Sequence, residues 1–286
     1  MKLCQEILRD EAVSDGDGYL ERIFMSPAAV RAGNLIHEWM EDAGLRTWVD
    51  CLGNVHGRLE GTNASAEVLI LGSHLVLSID GKLGELKRPV EVIAFSDEER
   101  VRFQSTFIGS AAIAGILPVS GLQITDKSGV TIQDAPKKIS IEVTEEHLQQ
   151  LRYDPKSVWG YVEIHIEQGP VLEWVGVPLG VVKGIAGQTR LKHDANAVIC
   201  DSELTSKLKS AAYLGLKRMT GSVQDEVPVL MSGAGYDAMA LSHLTKVGML
   251  FVLCRGGISH FPEEHVLDDD VWASGLEILA FIETQL

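Results

Sequence analysis

The sequence predicts an α/β protein built on a mixed, largely parallel sheet flanked by helices. Short apolar, β-branched runs, AEVLILG, PVEVIAF and GMLFVLC, read as strands buried on both faces. Longer segments between and after them have capping residues at their starts and an apolar face at helical spacing. Strands mixed with helices along one chain give layered α/β folds.

Taken in order, Ser26-Pro27 followed by AAVRAGNLIHEWMEDAG predicts a helix. Ser26 caps it, Pro27 suits the first turn, Gly44 suits the end, and Val30, Leu35, Ile36 and Trp39 form the apolar face. LRTWVDCLGNVHGRLEG alternates about Leu52-Gly53-Asn54 and reads as a hairpin. AEVLILGSH and PVEVIAFSDEE are two buried strands, and TFIGSAAIAGIL opens a helix. In GYVEIHIEQGP, Tyr161, Glu163, His165 and Glu167 share one face while Val162, Ile164 and Ile166 share the other. DSELTSKLKSAAYLGLKRMTG is a helix capped by Ser202 and stopped by Gly221. GMLFVLCRGGISH is a further strand, and DDDVWASGLEILAFIETQL closes the chain as a helix with acids at its positive end.

At 286 residues and 45% hydrophobic, the chain can bury a full core, either as one large domain or as two small ones. A net charge of −15 with no basic stripe argues against nucleic acid and anionic membrane as partners. Cys4, Cys51, Cys200 and Cys254 form no C-x-x-C pair and read as free thiols or core fillers. No apolar run reaches the length of a membrane span, and acids stand where a signal peptide would be apolar, so a soluble, cytoplasmic chain is expected.

Ligand-type side chains gather where strands end. One strand finishes on Gly72-Ser73-His74, another on Asp97-Glu98-Glu99, and the last runs out to His260. His165 adds an imidazole among carboxylates. Open α/β sheets place their sites beyond the carboxyl ends of strands, so these residues form a candidate Zn²⁺ or Mn²⁺ site. A cation there would offset the cost of gathering carboxylates past a buried run. His37, His147, His193 and His243 read as surface residues and His56 belongs to the hairpin. His265 reads equally as an exposed loop residue and as one that orients His260 or a carboxylate. H-E-x-x-H, G-x-S-x-G and P-loop patterns are absent.

FSDEE, VEIHIEQGPVLE, GVVKGIAGQTR, MSGAG followed by DAMA, and GGISH resemble the allantoate amidohydrolases, and RYDPKSVWGYVE and AFSDEERVRFQSTF resemble the plant allantoate deiminases most closely. The clan also holds ureidoglycolate and N-carbamoyl-amino-acid amidohydrolases, aminoacylases and related peptidases. The resemblance implies a hydrolase that converts allantoate, a small ureide, to ureidoglycine, ammonia and carbon dioxide with two Mn²⁺ or Zn²⁺ ions sharing a water. It implies His74, Glu99, His165 and His260 as metal ligands, Glu98 as general base, and Gln188 and Arg190 as residues facing substrate. Plant relatives are directed to the endoplasmic reticulum.

The chain departs from that pattern in four places. LVLSIDGKLGELKRP follows His74 where the family has a second metal-proximal Asp, a bridging Asp and a helix, and Asp80 is not assigned the bridging role. The lid domain that the family inserts, and through which it dimerises, is missing between residues 191 and 192, so one catalytic-type domain over 1–286 and a monomer are expected. Arg100 and Tyr236 stand where the family has Gly and His.

Overall fold

The computed structural model describes residues 14, 15, 22–63, 65–73, 86–98, 101–103, 105, 107–190, 193–221, 226–259, 261 and 263–284, with the backbone alone for 73, 188–190 and 193–195. Its elements are α1 (Pro27–Asp42), β1 (Arg46–Val49), β2 (Val55–Leu59), β3 (Val68–Ser73), β4 (Val90–Ala94), α2 (Ile108–Ile113) and α3 (Glu145–Leu151). They continue with β5 (Val158–Ile166), α4 (Val171–Val175), β6 (Leu179–Ile185), β7 (Gln188–Arg190), β8 (His193–Ala195) and β9 (Val198–Ile199). The last are α5 (Ser202–Thr220), β10 (Val229–Ser232), α6 (Asp237–Leu241), β11 (Val247–Val252) and α7 (Asp268–Glu283).

The main sheet is ordered β1-β2-β4-β3-β5-β11-β6-β10, with β9 pairing β6. Its central strands β4, β3, β5 and β11 run parallel to one another. The pairs β1 with β2, β2 with β4, and β11 with β6 are antiparallel, so the sheet is mixed, with a parallel centre. The hairpin is as the alternation predicts, with Val49 opposite Val55. β3 and β4 pair in parallel, and the segment 74–85 between them lies outside the described residues.

Both faces of the sheet are covered. On one, Leu69, Leu71, Val162, Ile164 and Leu250 pack with Leu204 and Leu208 of α5 and with Ile278 and Phe281 of α7. On the other, Ile70, Ile93, Tyr161 and Met249 pack with α2 and α6. Alternate residues of β3 and β5 thus enter two separate cores, which is why the runs read as continuously apolar.

Two local expectations change. Asp201 caps α5, its carboxylate accepting from Leu204 N at 2.9 Å, so Ser202 is the first helical residue. Both residue types cap helices, and adjacent candidates cannot be separated by type alone. The buried stripe of α1 runs through Ala28, Ala32 and Met40, with Ile36 packed beside it, because small residues let the helix lie close to the sheet. The polar face of β5 is buried as well: Tyr161 and Glu163 are fully covered, since β5 is central and α6 lies over it. Gly221 stops α5 as expected, with φ of 76°.

Helices α5 and α7 meet so closely at Gly215 that an added Cβ would stand 2.8 Å from Glu277 N. The same crossing buries Glu277 completely, and neither carboxylate oxygen has a hydrogen-bond partner among the described residues. Burial holds the Glu277 carboxyl well above its ordinary value of 4.5. A raised folded-state value means that the folded protein keeps a proton which the unfolded chain releases. Stability is therefore undiminished below about pH 4.5 and falls as the pH rises towards the folded-state value. Glu277→Met is expected to raise the unfolding free energy by about 1–3 kcal/mol at neutral pH and to give no gain at pH 4. Urea unfolding at the two pH values checks this.

Candidate active site

The parallel centre brings four carboxyl ends to one edge of the sheet. Ser73 lies opposite Ala94, Gly72 opposite Glu163, and Ile166 opposite Val252. Three of the predicted ligands are placed on this edge only through their chain neighbours. His74 follows the last residue of β3, Glu99 follows Glu98, and all of His74, Glu99 and His260 lie outside the described residues. Glu98 and His165 are described.

His165 stands one residue before the end of β5 and is 2% exposed. Its Nδ1 lies 2.7 Å from Ile166 O. A ring nitrogen facing a carbonyl must donate, so in the neutral imidazole Nε2 carries the lone pair. The ring of Tyr236 packs edge-on against it with centroids 4.4 Å apart, and Tyr236 OH donates to Gln168 Oε1 at 3.4 Å. Tyr236 therefore walls the imidazole through an apolar ring face. Glu167, expected beside His165, serves the backbone instead, accepting from Val171 N and Leu172 N at the start of α4.

Beneath His165 lies a buried acidic group that the sequence reading did not single out. Glu163 Oε2 accepts from Ala238 N at 2.7 Å, and Ser110 Oγ donates to Asp237 Oδ1 at 2.5 Å. Burial first, and then the charge of Asp237, raise Glu163 well above the ordinary carboxylate range. Burial, with the charges of Glu163, Asp237 and Glu98, likewise raises Tyr161. Glu98 is thus electrostatically coupled to the polar face of β5.

Past β4 the chain turns sharply. Asp97 has φ of 53°, a left-handed conformation that Asp tolerates better than most residues. Its Oδ2 is buried with no partner among the described residues, and burial, opposed by Arg102, pushes its carboxyl up to about 7. Glu98 follows, half-buried. On the far side of the edge, Cys254 Sγ reaches Ile258 O at 3.2 Å and His265 O at 3.5 Å, cinching the loop that contains position 260. Cys51, Cys200 and Cys254 are free thiols, and burial raises Cys51 and Cys200 to about 11 and about 12, which makes both poor nucleophiles.

Gln188 and Arg190 are described by backbone alone, in the ribbon of β7 and β8 where Arg190 lies opposite His193. Because β6 runs antiparallel to β11, this ribbon leaves the sheet by the end away from His165. Nothing described brings Gln188 or Arg190 to Glu98 or His165. Residues 191 and 192, between the two strands of this ribbon, lie outside the described residues.

Among the described residues no group of three or more His, Cys, Asp or Glu side chains is placed to hold a metal. The chemistry present still suits a divalent cation: an imidazole protonated on Nδ1 with its lone pair on Nε2, an orphaned carboxylate oxygen on Asp97, and a carboxylate at Glu98. No helix among the described residues is long and apolar enough to cross a membrane.

An α/β sheet whose parallel strands end in imidazole and carboxylate side chains is the frame of a metal-dependent hydrolase. The chain belongs to peptidase family M20/M25/M40, whose model matches residues 51–282. It is by family a metal-dependent amidohydrolase. It is 47% identical over 439 residues to the allantoate deiminase of Arabidopsis thaliana, covering 99% of this chain and 84% of that one. Allantoate deiminase 2 of Glycine max is 47% identical over 436 residues, covering 98% and 90%. Those alignments are far longer than this chain of 286 residues, so the relatives carry stretches with no counterpart here. Among solved structures, AtUAH in complex with (S)-hydroxyglycine shares the fold with a TM-score of 0.86 at 17% identity, covering 99% of this chain and 96% of that one. The Bacillus subtilis YXEP protein, a dinuclear metal-binding peptidase of the M20 family, superposes with a TM-score of 0.53 at 10% identity, covering 98% and 96%.

Proposed function

We propose that this chain hydrolyses allantoate, using Mn²⁺ held by His74, Glu99, His165 and His260, with Glu98 as the general base. The identity of 47% to an allantoate deiminase across 99% of this chain carries the substrate assignment. The side-by-side carboxyl ends of β3, β4, β5 and β11 support the residue assignment. When bound, divalent metal would polarise the scissile carbonyl and lower the pKa of water. Glu98 takes the proton of the attacking water and returns it to the departing nitrogen. The backbone bond of His165 Nδ1 fixes Nε2 as the nitrogen that carries the lone pair, and the Tyr236 ring packs against the imidazole. Gln188 and Arg190 are left out of this assignment because their ribbon departs from the other end of the sheet. We read residues 1–286 as one catalytic-type domain and, without the family's lid, as a monomer.

The test is ammonia release from allantoate by the purified protein with added Mn²⁺, run beside ureidoglycolate and an N-carbamoyl-L-amino acid. Allantoate is expected to be turned over fastest, with activity lost on chelation. If allantoate is the poorest of the three, the substrate assignment fails. If none is turned over while the protein melts cooperatively, the chain is a folded, non-catalytic member, a reading that the two-residue closure of the β7–β8 ribbon favours.

A further inference from the structure

One buried side chain joins three elements behind the acidic turn. Asn54, in the hairpin loop, is fully buried. Its Oδ1 accepts from Ser96 N at 2.9 Å, and its Nδ2 donates to Asp50 Oδ2 at 2.7 Å and to Gly109 O at 3.4 Å. Ser96 Oγ donates to Leu52 O at 2.7 Å, so the same loop holds Ser96 twice. Gly109 N in turn donates to Ser96 O at 3.3 Å, tying the turn to α2. A Cβ on Gly109 would collide with Asn54 Oδ1, so the glycine is what allows the amide to sit there.

The orientation of the amide is fixed from behind. Asp50 accepts from Leu52 N and Asn54 N through Oδ1 and from the Asn54 amide through Oδ2. With its donor face engaged by Asp50, the Asn54 amide has its oxygen directed at Ser96 and cannot flip without losing both contacts. Two residues after Ser96, with the strained φ of Asp97 between, stands Glu98. A left-handed residue costs free energy and persists only where its surroundings hold it. Asn54 supplies that hold.

We propose that Asn54 is a positioning residue for Glu98, fixing the turn after β4 through Ser96 so that the carboxylate is presented at the sheet edge. The catalytic half of this proposal rests on the reading of Glu98 as the general base. The structural half does not.

The experiment compares wild type, Asn54→Ala and Gly215→Ala, the last being a control that loosens the distant α5–α7 contact. Hydrogen exchange at the Ser96 amide and kcat and KM for allantoate with Mn²⁺ are measured on each. In Asn54→Ala the Ser96 amide is expected to exchange at least about 10-fold faster, and kcat to fall by about 10²-fold, the scale of an ångström-sized misplacement, with KM within about 3-fold. Gly215→Ala should lower the melting temperature while leaving Ser96 exchange and kcat as in wild type. Unchanged Ser96 exchange in Asn54→Ala overturns the proposal. So does a fall in kcat no larger than that of Gly215→Ala. Should the alanine variant not fold, the near-isosteric Asn54→Leu, which removes the acceptor without leaving a cavity, must show the same two changes, and wild-type behaviour in it overturns the proposal. If wild type turns over no ureide, the functional reading fails and Ser96 exchange alone decides whether Asn54 holds the turn.

Discussion

Glu98→Gln is expected to lower kcat for allantoate by about 10²–10⁴-fold, the usual contribution of a positioned proton carrier. Glutamine matches the shape of the glutamate and can still accept a hydrogen bond, so the substitution removes little besides the ability to take a proton. Metal content should match that of wild type, and KM should change little, because the lost interaction belongs to the transition state. Glu98 is half-buried, and its charge is among those that raise the Tyr161 hydroxyl. Parallel measurement of bound Mn²⁺ and kcat separates the outcomes. Wild-type turnover in Glu98→Gln would remove Glu98 from the base role, while loss of metal together with turnover would make it a ligand.

His56→Leu is expected to cost about 3–5 kcal/mol of unfolding free energy, because it removes the imidazole that two buried carboxylates share. His56 Nδ1 lies 2.9 Å from Glu91 Oε1 and Nε2 lies 3.3 Å from Asp50 Oδ2, with side-chain exposures of 2%, 0% and 3% respectively. Trp48 stacks over the imidazole at 4.7 Å, Tyr153 OH donates to Glu91 at 2.5 Å, and Arg58 meets its other oxygen at 3.2 Å. Burial pulls the His56 value down, but the hydrogen bonds and charges of Asp50 and Glu91 outweigh it and leave it above 6.5. Burial pushes Glu91 up, and His56, Tyr153 and Arg58 bring it below 4.5. The sign follows from linkage. The contribution of His56 is complete below pH 6.5 and is lost as the pH rises through its folded-state value. That of Glu91 is present above pH 4.5 and is lost as the pH falls through its lowered value. The gap between wild type and His56→Leu should therefore be widest between these limits and narrow on the alkaline side. Denaturant unfolding across pH checks it, and a pH-independent gap would mean that His56 is neutral in the fold.

What could be read from residue order alone depended on how local each signal was. The alternation of YVEIHIEQ separated Val162, Ile164 and Ile166 from Tyr161, Glu163 and His165 correctly, because both sets follow the pleat. Burial of the polar set was not legible, since it comes from α6, more than 70 residues away, whose Ala238 N–H meets Glu163 with |i−j| of 75. The role of Asn54 was hidden in the same way: LGN marks a turn, but the Ser96 amide it holds is 42 residues distant. Glu277 sits in a helix where a glutamate is ordinarily solvated, and only the close crossing at Gly215 removes it from water. The gathering of strand ends at one edge was legible, because a parallel sheet necessarily brings carboxyl ends together.

The ribbon of β7 and β8 also bears on how such a protein can change in size. Arg190 and His193 face one another across two paired strands, so the chain leaves the body and returns to it one strand-spacing away, roughly 5 Å. A junction of that kind accepts a foreign module with little penalty, because the loop-closure cost grows only logarithmically with the length inserted. The same junction lets a module be excised with the nine-stranded sheet left in register. Long and short members of one family can therefore share a single scaffold and differ in what is plugged into it.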